Sequence, residues 1–174
     1  MTERDLLVHP LDGYPPDLGA ALWMMADTRA RTLRALDGLP ADLIDQVPAG
    51  GDNSIGSLLY HLAAIEADWI YADILQADYP EWMTELFPDD VRTEGGQLTP
   101  VRAATLDEHI ERLSSVRNHF LEDIAVVTGD DFRRPRKTES GTTTPEWVLH
   151  HLGQHEAEHR GQIQAIRLAL ESSP

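Results

Sequence analysis

Apolar residues recur at steps of three and four in four stretches of the chain, the spacing that lays them along one face of an α-helix. The first stretch runs from about Pro16 to Leu36 and carries Leu18, Leu22, Met25, Leu33 and Leu36. The second begins after Asp52-Asn53-Ser54, whose side chains suit a helix N-cap, and carries Leu58, Leu62, Ile65 and Trp69. Thr105 and Glu108 stand at capping-box spacing at the head of the third, which carries Leu106, Ile110, Leu113, Phe120, Ile124 and Val127. The fourth opens at Thr144-Pro145, a capping residue followed by proline at the first helical position, and runs to about Leu170. Period-two runs of β-branched residues are missing. The pattern therefore predicts an all-α protein without strands, most simply a four-helix bundle.

The connections are unequal. Residues 77–104, between the second and third helices, are too many for a structureless loop. Pro80, Glu81, Trp82, Leu86, Phe87 and the Gly95-Gly96 pair predict a short helix around Trp82 that covers one end of the bundle, followed by a turn. This segment reads as a crossover packed by its own aromatics in preference to a wall of a substrate pocket. Gly129 to Thr143 is polar and basic and reads as an ordinary surface connection.

Chemistry enters in the fourth helix. Its buried stripe reads Val148, Leu152, His155, His159, Ile163, Ile166 and Leu170, so two imidazoles occupy consecutive core turns. A single histidine on an apolar face needs only a hydrogen bond. Two of them, four residues apart, suit a shared metal ion that takes one nitrogen from each neutral ring. His151 falls on the flank of the stripe and His150 on the far side. A third ligand is expected from another helix, and His61, three residues after Leu58 and four before Ile65, borders the apolar face of the second. His109 and His119 flank the third helix's stripe and read as boundary residues. Three histidines leave coordination positions open to water or substrate, which suits catalysis better than a purely structural ion.

His155-Glu156-Ala157-Glu158-His159 also fits H-E-x-x-H, the zinc-protease pattern. Glu158 places a charge inside it, the downstream Gly and His of the longer form are missing, and no strand is predicted against which a peptide would align. Proteolysis therefore ranks low. Glu156 is left with three roles to choose from: catalytic base, support for a ligand, or solvated carboxylate. Arg160 is a candidate for an anionic cofactor group or, equally, for a salt bridge to Glu156 one turn earlier. Tyr60, beside His61, is a candidate site wall or a boundary residue, and Trp69 reads as core at a helix end.

Composition narrows the partners. A net charge of −16 opposes nucleic-acid binding, and the only basic run, Arg133, Arg134, Arg136 and Lys137, reads as a solvated loop. Cysteine is absent, so a metal must be held by His, Asp or Glu. The apolar run from Ala20 to Ala26 is too short to span a bilayer, and Met1-Thr2-Glu3-Arg4-Asp5 offers no signal-peptide core. The expectation is one cytoplasmic domain, residues 1–174, acting on a small molecule without membrane or nucleic acid.

Ser54-Ile55-Gly56-Ser57-Leu58-Leu59-Tyr60-His61-Leu62 together with His155-Glu156-Ala157-Glu158-His159-Arg160-Gly161-Gln162-Ile163 resembles the DinB-like superfamily, also called the YfiT-like metal-dependent hydrolases. The resemblance covers nearly the whole chain and implies a four-helix bundle with a long connection after the second helix. It implies a divalent ion, zinc or nickel, on His61, His155 and His159, and a homodimer. It also implies three functional options: transfer of a low-molecular-weight thiol of the bacillithiol or mycothiol type to electrophiles, hydrolysis by metal-activated water, or metal binding in stress without turnover.

Overall fold

The computed structural model describes residues 7–138 and 141–172; the amino-terminal Met1 to Asp5, read above for a leader, lie outside it. Four long helices form where the periodicity places them: α1 (Pro16–Leu36), α2 (Ile55–Trp69), α4 (Leu106–Asp123) and α6 (Pro145–Glu171), with short α3 (Glu81–Leu86) and α5 (Gly129–Phe132) between them. Local chemistry fixes their starts. Ser54 Oγ accepts from Ser57 N at 3.1 Å, Thr144 Oγ1 accepts from Trp147 N at 3.1 Å, and Thr105 and Glu108 close a reciprocal capping box. Beyond Trp69, α2 continues as a wider π turn, Ile70–Leu75, stopped by Gln76 in the left-handed region at φ 51°.

α1 packs chiefly on α6, while α2 packs on both α4 and α6. From Ile55 to Ala64 every residue of α2 is buried, not only the stripe. The long connection supplies the cover: Val101 N donates to Ser57 Oγ at 3.1 Å, and Tyr60 is bonded to Asp89. Within that connection, Trp82 stacks on His119 and Leu86 O accepts from Arg112 Nε. The short helix around Trp82 is therefore present, but it lies along the flank of α4 instead of covering an end. Arg92 and Leu98 bridge across the turn that contains Gly95 and Gly96.

Two expectations fail. Arg136–Thr138 (β1) and Gly141–Thr143 (β2) pair antiparallel as a small sheet, and Phe132 in α5 is buried, so 129–143 is more than a surface connection. Strands of three residues are too short to show a period. Arg133 is paired with Asp17 and Glu146, and Arg134 with Asp131. His109, expected at a boundary, is 1% exposed, because the inward face of α4 runs through His109, Leu113, Val116 and Phe120 and leaves Ile110 half-buried.

The core has two apolar clusters. One gathers Leu18, Leu22, Met25, Phe120, Leu149 and Leu152 with the π turn; the other gathers Leu36, Leu58, Leu62, Leu113, Val116 and Ile163. Between them lies a charged layer with one residue from each long helix: Arg29, Glu66, Arg117 and Glu156. Arg29 donates to Glu156 Oε1 at 2.8 Å, to Glu66 Oε2 at 2.7 Å and to Leu113 O at 3.0 Å. Arg117 donates to both Glu66 oxygens, at 2.6 and 3.0 Å. Two guanidiniums match two carboxylates, so the layer is neutral and its charges are hydrogen-bonded, as burial requires. Burial alone opposes charging of Arg29 and Glu66. The facing opposite charges outweigh it, raising Arg29 and lowering Glu66.

Candidate metal centre

His61, His155 and His159 converge from α2 and α6. His155 Nε2 lies 3.1 Å from His61 Nε2 and 3.0 Å from His159 Nε2, and one ligand atom from each ring falls within 4.8 Å of the others. His61 is 2% exposed and the other two are half-buried. The four-residue step on α6 stacks His155 over His159 on one face, and the burial of α2 holds His61 against them.

His61 and His155 are biased toward the neutral form. Burial, then the neighbouring His159 and Arg92 charges, lowers His61 to about 4; burial, then the surrounding histidines and Arg92, lowers His155 to about 3. A neutral imidazole offers a lone pair, the form a metal needs. His159 Nδ1 lies 2.9 Å from Gln162 Oε1, an acceptor that places the proton on Nδ1 and leaves Nε2 free to coordinate. His61 Nδ1 is buried without a hydrogen-bond partner.

These residues fit a divalent ion. With metal–nitrogen bonds of about 2.0–2.1 Å, neighbouring ligand nitrogens stand about 3.4 Å apart in a tetrahedral site and about 3.0 Å apart in an octahedral one. The 3.0 and 3.1 Å separations fall in that range.

The remaining candidates are placed as follows. Glu156 is buried in the charged layer, bonded to Arg29, and is not a solvated carboxylate. Arg160 Nη1 donates to Thr28 O at 3.3 Å, tying α6 to α1, and Glu156, one of its two candidate partners, is bonded to Arg29. Tyr60 engages the long connection: its hydroxyl donates to Asp89 O at 2.6 Å and its ring packs edge-on against Phe87. Arg29, Glu66 and Arg117 escaped sequence reasoning. The stripe nevertheless passes through Arg29, four residues after Met25 and four before Leu33, and a charge at such a position is the readable sign of a buried partner.

The fold is that of a known family. The DinB superfamily profile matches residues 24–163, and the chain belongs to that superfamily. The uncharacterized protein YkkA of Bacillus subtilis (strain 168) is 24% identical over 115 residues, which cover 66% of this chain and 65% of YkkA, slightly less than two thirds of that relative. The crystal structure of a conserved protein from Enterococcus faecalis superposes with a TM-score of 0.66 at 17% identity, covering 88% of this chain and 96% of that one, a likeness of fold. Among the described residues no helix is long and apolar enough to cross a membrane.

Proposed function

We propose that His61, His155 and His159 hold a divalent ion, zinc or nickel, and that the protein transfers a low-molecular-weight thiol of the bacillithiol or mycothiol type to small electrophiles in detoxification. The observation that carries the proposal is the convergence of three imidazole nitrogens with the His159 tautomer fixed by Gln162. When bound, such an ion supplies an open coordination position that takes a thiol sulfur and lowers its pKa. The chain contains no cysteine of its own, which is compatible with a borrowed thiol. His61 anchors the site from the buried helix, and His155 and His159 carry its half-buried side. Glu156 is a positioning residue: its bond to Arg29 locks the turn of α6 that presents His155. Hydrolysis is the second reading; of its two candidate bases Glu156 is held by a guanidinium, which leaves the exposed Glu158. A non-catalytic metal-binding stress protein is the third reading. The protein acts as one cytoplasmic domain on a small-molecule substrate, without nucleic acid, and the homodimer implied by the family belongs to the same proposal.

The test uses metal-loaded protein, 1-chloro-2,4-dinitrobenzene as electrophile and a panel of biological thiols. Conjugation that needs both metal and thiol, and disappears in His155→Ala, is expected. Thiol-independent ester cleavage would put hydrolysis first, and absence of any turnover would favour the binding protein.

A further inference from the structure

The helix that carries His155 and His159 also carries Trp147 and His151, so four rings follow one another at steps of four along one face of α6. Trp147 and His151 are stacked, 4° from parallel with centroids 5.0 Å apart. Trp69, at the end of α2, closes on both: its ring lies 4.6 Å from His151 and 5.8 Å from Trp147. His151 in turn lies 6.2 Å from His155. The three rings form a continuous aromatic shelf that ends at the histidine centre.

The two indoles face a cavity of about 490 Å³, lined by Trp69, Trp147, Pro135, β2 (Gly141–Thr143) and Thr144. That volume falls in the usual range for small-molecule sites, about 300–1,000 Å³. Among the described residues its lining carries no charged side chain; the polar groups it offers are threonine hydroxyls and backbone. Trp147 is 48% exposed, so its ring is open to a ligand in the cavity. Flat apolar faces with a neutral polar rim select an uncharged aromatic ligand, whose ring stacks while a hydroxyl or carbonyl meets the threonines.

On the footing of the metal-dependent function above, we propose that Trp69 and Trp147, backed by His151, bind a flat, uncharged aromatic part of the substrate and direct its reactive end toward His61, His155 and His159. Eight residues, about 12 Å of helix rise, separate Trp147 from His155 along α6, so the substrate is an elongated aromatic with a reactive arm.

The test is an equilibrium titration of metal-loaded protein with 2-naphthol, followed through the indole N–H signals of the four tryptophans, with cyclohexanol as the non-aromatic control. Naphthol is expected to shift Trp69 and Trp147 and spare Trp23 and Trp82, and cyclohexanol to bind more weakly. Trp147→Ala is expected to weaken naphthol binding by about tenfold, and Trp147→Phe to restore most of it. Shifts confined to other tryptophans, equal binding of cyclohexanol, or unchanged affinity in Trp147→Ala would each overturn the proposal. Metal content is measured on the same samples. Naphthol binding at the shelf in protein that holds no metal would strike the metal-dependent function and leave the shelf standing, whereas a metal-loaded protein that ignores naphthol would do the reverse.

Discussion

Arg29 Nε donates to Glu156 Oε1 at 2.8 Å, joining residues 127 positions apart on α1 and α6. The bond lies inside a neutral four-residue layer that separates the two apolar clusters, and it ends one residue from His155. Removing one member of such a layer strands the opposite charge in a buried place. Arg29→Met is expected to lower stability by about 3–5 kcal/mol in urea unfolding. Arg29→Met/Glu156→Met recovers part of that loss, since apolar side chains replace both charges. A single variant within about 1 kcal/mol of wild type would show that the layer contributes little.

Glu156 itself separates a positioning role from a base. Glu156→Gln keeps the size of the side chain, weakens the bond to Arg29 and is expected to lower stability while retaining metal content and conjugation within a few-fold. Loss of a general base costs about 10²–10⁴ in rate. A drop of that size at unchanged stability and metal content would return Glu156 to the catalytic role.

The long helices were legible because independent signals agreed: Ser54, Thr105 and Thr144 cap where the stripes begin, and Pro16 and Pro145 stand at first helical positions. The convergence of the three histidines was legible for a related reason, since polar residues at core positions need a partner. The same logic applies to Arg29, Glu66 and Arg117, but charged residues beside an apolar stripe are usually solvated, and only the packing of four helices brings these together. His109 was misplaced because one residue of rotation on α4 exchanges it with Ile110. The β1–β2 pair left no trace because three-residue strands have no measurable period.

Two glycines on the motif-bearing helices respond oppositely to alanine. A Cβ at Gly56 would stand 3.0 Å from His109 Nε2, 3.3 Å from Ile44 O and 3.4 Å from Asp45 Oδ1. Gly56→Ala is expected to cost about 1–3 kcal/mol through overpacking. A Cβ at Gly161 meets nothing within 4 Å, so Gly161→Ala is expected to stabilise α6 by about 0.5–1 kcal/mol. Thermal unfolding of both variants checks the pair, and the same sign in both would contradict the packing described.

His109 predicts a pH dependence. Burial, then the Arg112 charge, lowers it from 6.5 to about 4. Between those values the unfolded chain binds a proton that the folded chain does not, so stability rises with pH across the window. It is fully present above about pH 6.5 and lost progressively as the pH falls toward 4. Urea midpoints of wild type should therefore fall on acidification from pH 7 to 4.5, and those of His109→Gln should fall less. Parallel curves would remove His109 from the acid response.

Metal content of the purified protein, measured for wild type beside His61→Ala and His155→Ala, tests the central claim most directly. Wild type is expected to carry close to one zinc or nickel per chain, with both variants depleted by tenfold or more while circular dichroism shows their helices intact. Equal metal content in all three folded proteins would contradict the assignment of the centre to His61, His155 and His159.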